Sequence, residues 1–90
     1  MFCVILVSEH PVLLKRNVKC KSKTENLATG LNSVKECANL CKNTDGCQFF
    51  IFGNKNTETG KCSWARTAYS DCQEGWQTSD YDFYGFKGIL

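Results

Sequence analysis

Six of the seven cysteines fall between Cys20 and Cys72, and three of them sit inside the segment ECANLCKNTDGC. Cys37, Cys41 and Cys47 stand at C-x3-C-x5-C spacing, with Cys62 and Cys72 farther along. This density in a chain of 90 residues reads as a disulfide framework, which implies an oxidising, extracellular compartment. A structural zinc site usually shows paired C-x2-C knuckles or histidine ligands, and a thioredoxin-type centre needs C-x-x-C. The chain has no C-x2-C and a single histidine, His10, so the sequence implies neither a metal nor another cofactor. Cys37 and Cys41 lie one turn apart on a single helix face, so a helix there would be tied to the fold from two successive turns.

Composition sets the class around this framework. A chain of 90 residues makes one domain. At 42% hydrophobic and 22% charged, it has the make-up of a globular chain rather than a disordered one. A net charge of +2 argues against a dedicated nucleic-acid binder. No apolar run approaches the ~20 residues that span a bilayer.

Local patterns give one helix and several strands. Ser33 and Glu36 form an S-x-x-E capping box, in which Ser33 accepts from the Glu36 amide and Glu36 reaches back to the Ser33 amide. Val34, Cys37, Ala38 and Cys41 follow at i, i+3, i+4, i+7, with Lys35, Asn39 and Lys42 on the opposite side, and Gly46 supplies a residue able to take positive φ. A helix is expected over residues 34–43. Residues 17–22 alternate as a strand; residues 47–53 (CQFFIFG) are apolar on both faces, as in a central strand covered on both sides. Residues 54–60 are a polar hairpin loop, 61–67 the returning strand, and 81–86 (YDFYGF) a last short strand. The fold class that follows is α+β: a small disulfide-stapled antiparallel sheet of about four or five strands packed on one helix.

A helix carrying C-x3-C, a third cysteine before an aromatic strand, a hairpin returning to C-x-W and a final Y-x-F strand together resemble the PAN/apple module. The resemblance covers residues 17–86, and GKCSW…DCQEGWQTSDYDFY is closest to members from microbial eukaryotes. It makes residues 17–90 the module and residues 1–16 an N-terminal extension. The family's cysteine order implies Cys37–Cys62 and Cys41–Cys47, which leaves Cys20 for Cys72. Here the chain departs from the apple pattern, because Cys72 precedes the last strand instead of following it. The family consists of binding modules, which agrees with the residues: His10 has no identifiable partner, and no serine lies in a nucleophile motif.

The ligand-binding candidates are Trp64, Arg66, Trp76 and Tyr84, together with the lysines Lys19, Lys21 and Lys23. Tryptophan and tyrosine offer flat apolar faces with a polar edge, the chemistry of sugar stacking and of protein hot spots. Trp64 also reads as structural, and Trp76, in the polar stretch DCQEGWQTSD, suits core and binding roles equally. On one strand Lys15, Lys19, Lys21 and Lys23 would share a face suited to a sulfated glycan or an acidic protein, or would simply be a solvated face balanced by Asp71, Glu74, Asp80 and Asp82.

The N-terminal run FCVILV makes a poor signal peptide, interrupted by Glu9, His10 and Pro11, and a good strand. Cys3 is the odd cysteine, expected as a free thiol or a link between chains. Val4, Ile5, Leu6 and Val7 are expected to order against a sheet, their own or a neighbour's; the segment reads equally as a remnant of secretory targeting or as the tail of a preceding domain in a longer protein. Two functions of different class follow. One is a secreted, non-catalytic adhesion module recognising a glycan or an extracellular protein. The other is a structural subunit that assembles into a homo-oligomer or filament through Cys3 and residues 4–7. A short secreted toxin or inhibitor is a third reading.

Overall fold

A computed structural model describes residues 10–87. The helix α1 (Val34–Lys42) forms where the capping pattern places it: the Ser33 hydroxyl accepts from the Glu36 amide at 3.3 Å. The Glu36 carboxylate reaches one residue farther than expected and accepts from the Asn32 amide at 2.7 Å. Asn43 caps the other end. The strands are β1 (Pro11–Lys15), β2 (Val18–Cys20), β3 (Thr24–Ala28), β4 (Phe50–Gly53), β5 (Cys62–Ala65), β6 (Trp76–Thr78) and β7 (Tyr81–Phe86). Five of them hydrogen-bond antiparallel in the order β1-β7-β4-β5-β3, and β2 with β6 makes a separate two-stranded ribbon.

Three expectations are corrected here. Residues 11–15, assigned with 1–16 to an extension, supply β1 at the edge of the main sheet, where a strand beginning with proline is tolerated. Asn17, at φ 60°, then turns the chain away, so Lys15 and Lys19 lie on strands of different sheets and the four lysines do not share one strand. The segment 47–53 becomes strand only from Phe50.

β4 lies in the middle of the sheet with a hydrophobic cluster on each face. On the helix side Phe50 packs with Cys37, Ala38, Cys41, Cys62 and Phe86. On the ribbon side Ile51, Phe49 and Phe83 pack with Cys20 and Cys72. A row of directly opposed residues, Glu25, Trp64, Phe50, Tyr84 and Leu13, crosses all five strands, and the Phe50 and Tyr84 rings stack at 5.1 Å. The result is a small α+β fold with the helix on one face of the sheet and the ribbon on the other. Its disulfides are Cys37–Cys62 (helix to β5), Cys41–Cys47 (last helical turn to the approach of β4) and Cys20–Cys72 (β2 to the loop before β6).

The hairpin loop between β4 and β5 is pinned to β7. The Tyr81 hydroxyl donates to the Glu58 carboxylate at 2.8 Å, and Lys61 pairs with the same carboxylate at 3.2 Å. Burial, then the bond to Glu58, raises the Tyr81 phenol to about 12, while Tyr81 and Lys61 hold Glu58 below its usual value. The native state therefore keeps a proton that an unfolded chain releases above the ordinary phenol value of 10.0. The corresponding stability is fully present below that value and is lost as pH rises through about 12. In an ultraviolet titration of the three tyrosines, one phenol should ionise last, Tyr81→Phe should remove that step, and Glu58→Gln should move it to lower pH. Ionisation of all three together would contradict the clamp.

Candidate ligand-binding trough

Three shallow depressions follow one another around the end of the molecule where α1 stops and β4 begins. The first lies between the flank of α1 and the start of β1, lined by His10, Pro11, Lys35, Ala38, Asn39 and Lys42. The second runs over the Cys41–Cys47 turn, from Lys42 past Thr44, Asp45 and Gly46 to Gln48 and Phe86. The third runs from Gly46 and Gln48 to Trp64, Arg66, Thr67 and Ala68. Lys42 is shared by the first two, and Gly46 and Gln48 by the last two, so the three lie side by side along one trough-like surface. Each holds only about 220–290 Å³, below the ~300 Å³ at which small-molecule pockets begin. An elongated ligand that lies across all three suits this shape better than a compact one in any single depression.

Local structure explains why the far wall is aromatic. Trp64 stands on β5 between Phe50 and Glu25 of the neighbouring strands, half-buried against the helix-side cluster. Its six-membered ring runs alongside Gly46, where a Cβ would sit 3.6 Å from the ring. Gly46 takes φ +87°, the conformation that ends the helix-to-strand turn and that glycine adopts without penalty. The Arg66 guanidinium lies 4.3 Å from the Trp64 ring centroid and pairs with Glu25. Tyr69, two residues beyond Thr67, is 57% exposed. Its amide and carbonyl are bonded to the Thr67 hydroxyl and the Cys72 amide, which fixes the backbone that presents the ring.

The other candidates fall elsewhere. Trp76 lies on β6, half-buried, its ring edge-on to Phe83 at 4.9 Å, with the Lys15 ammonium 5.7 Å from its centroid. Tyr84 stacks on Phe50, and burial raises its phenol. Lys19 is on the ribbon, Lys21 and Lys23 are exposed beyond its end, and none of the three lines the trough. Cys3, Val4, Ile5, Leu6 and Val7 lie outside the described residues. Cys20, Cys72 and Glu74 bring ligand atoms within 4.8 Å of one another. The two sulfurs are bonded to each other, however, and offer no thiolate to a metal.

The family model for the PAN domain matches residues 13–86. The chain belongs to the PAN domain family. Comparison with curated proteins and with solved structures finds no match. PAN domains are disulfide-rich modules that typically mediate protein or carbohydrate binding and are generally not catalysts. No helix among the described residues is long and apolar enough to cross a membrane.

In this PAN domain the trough unites residues that sequence reasoning singled out, Trp64 and Arg66, with others it did not: Gln48, Thr67 and Ala68, and the lysines Lys35 and Lys42. The two lysines read as a solvated helix face because nothing local signals that β1 runs beside them. Tyr69 is not among the candidates read from the sequence. Its presentation depends on the Cys72 staple.

Proposed function

We propose that this PAN domain is a secreted, non-catalytic module that binds an elongated protein or carbohydrate ligand along the trough ending at Trp64. The observation that carries this reading is the adjacency of the three depressions, with the Trp64–Arg66 stack at one end and the polar residues Thr44, Asp45 and Gln48 between. Aromatic faces flanked by hydrogen-bonding side chains are what sugar rings and peptide anchors use. The three buried disulfides suit an extracellular life.

The test is a screen of the folded domain against immobilised glycans and extracellular proteins, with each hit mapped by amide and indole chemical shifts. Shifts are expected at Gly46, Gln48 and the Trp64 indole. Gln48→Ala and Arg66→Ala, both on exposed residues, should each weaken binding about three- to tenfold without loss of fold, since a hydrogen bond contributes roughly 0.5–1.5 kcal/mol net. A footprint confined to Lys19, Lys21 and Lys23 would move the site to the ribbon and overturn this placement.

Assembly into a polymer has one observation in its favour. β1 is an edge strand of the main sheet and follows the apolar run 2–7 in sequence after three intervening residues. Truncation at residue 14 would cut away β1 itself, so the informative comparison is the full chain against one starting at His10. A change from oligomer to monomer on removing residues 1–9 supports assembly, and two monomers refute it.

A further inference from the structure

The trough is chemically uneven, and its helix end carries two lysines. Lys35 and Lys42 lie on the same face of α1 two turns apart, a rise of about 10 Å. Between them the floor is Ala38, 1% exposed, and the wall is Pro11 of β1. His10 and Asn39 complete the rim. Among the described residues the ion pairs are Lys61–Glu58 and Arg66–Glu25, and neither lysine takes part in them. The carboxylate that lines the trough is Asp45, beyond Lys42 and toward Trp64. Two lysines two helical turns apart thus flank a largely apolar strip.

We infer that this end of the trough binds an acidic, extended polypeptide in a polyproline-type conformation, its carboxylates three residues apart. Such a chain has three residues per turn and rises about 3.1 Å per residue, so every third side chain points the same way at about 9 Å intervals. That spacing matches the lysine separation. The intervening apolar or proline residues then lie against Pro11 and the aliphatic stems of Lys35 and Lys42, over the buried Ala38, a strip with little to hydrogen-bond a sugar hydroxyl. A sulfated oligosaccharide satisfies the charges but leaves its hydroxyls facing this strip unpaired, a cost of the kind that polar groups incur whenever they are desolvated without partners. The inference rests on the binding reading given above and narrows it to one ligand class.

The probe is a synthetic peptide of about twelve residues with the repeat Glu-Pro-Ala, which favours this conformation; the control replaces each Glu with Gln. Amide shifts in the folded domain should centre on Lys35, Ala38 and Lys42, and the Gln peptide should bind at least about tenfold more weakly. Lys35→Ala and Lys42→Ala should each reduce affinity about three- to fivefold, as exposed ion pairs allow, and binding should weaken as salt is raised. Asp45→Asn should strengthen binding about twofold by removing a like charge, an effect that no loss of fold can imitate. Equal binding of the two peptides, or a footprint away from α1, overturns the inference. So does a sulfated oligosaccharide that binds the two lysines while the acidic peptide does not. If the peptide fails while another ligand maps to Gln48 and Trp64, this inference falls and the trough stands. If the ligands that bind map elsewhere, both fall.

Discussion

Reducing the three disulfides should unfold the domain. The bridges are nested: Cys41–Cys47 lies inside the loop closed by Cys37–Cys62, which lies inside the loop closed by Cys20–Cys72, with sequence separations of 6, 25 and 52. Loop-closure entropy gives the innermost about 2 kcal/mol. Each outer bridge gives about 3–4 kcal/mol once the inner ones shorten its effective loop. Together that is about 9 kcal/mol, against whole-domain stabilities of roughly 5–15 kcal/mol. All six cysteines are also core residues, none more than 9% exposed, so their reduced forms would keep the packing but lose the constraint. The effect should be graded. Replacing Cys41 and Cys47 by Ala should leave a folded but weakened domain, and replacing Cys20 and Cys72 should cost more. Full reduction should collapse amide chemical-shift dispersion. Retention of dispersed amide signals after complete reduction would show that the apolar clusters hold the fold without the bridges.

Much of the fold is written locally. Ser33, Glu36 and the stripe Val34, Cys37, Ala38 and Cys41 specify α1 because capping and helical period are short-range properties. Phe50 and Ile51 announce a central strand because both faces of β4 are buried, and that requires apolar residues on both. β3 (TENLA) shows no alternation and is largely exposed. It is a strand because β5 offers it a backbone partner, and pairing of that kind leaves no trace in side-chain pattern. β6 is hidden for the same reason, its partner β2 lying more than fifty residues earlier. The trough is the least legible feature, since its walls come from the start of β1, one flank of α1, the Cys41–Cys47 turn and the end of β5. Trp64 and Arg66 carry a chemical signal of their own. Lys35 and Lys42 become part of a site only because Pro11 is brought alongside.

Gly53→Ala should lower stability by about 3 kcal/mol, and the reason lies in the hairpin loop rather than in glycine's freedom of φ. A Cβ at Gly53 would sit 1.8 Å from the Glu58 carbonyl oxygen and 2.5 Å from its carbon, and both are backbone atoms that no rotamer change can move. The loop folds back onto this position: the Gly53 amide donates to Lys61 and the Gly53 carbonyl accepts from Gly60. Making room would lift residues 56–60 and break the Tyr81–Glu58–Lys61 clamp. Forcing extra atoms into a packed site costs typically 1–3 kcal/mol. The upper end applies because hydrogen bonds are lost with the contact, and in a domain of this size it corresponds to a fall in Tm of roughly 12–24 °C. Gly30→Ala is the control. Gly30 has φ +70° but nothing within 4 Å of the added carbon, so only the left-handed penalty of about 1–2 kcal/mol applies. β4 runs from Phe50, near the trough, to Gly53 under the loop, so the damage lies at the strand's far end. At temperatures where the Gly53→Ala variant remains folded, its affinity for a trough ligand should equal that of the parent. A melting temperature for the Gly53→Ala variant equal to that of the parent would show that the loop yields without cost.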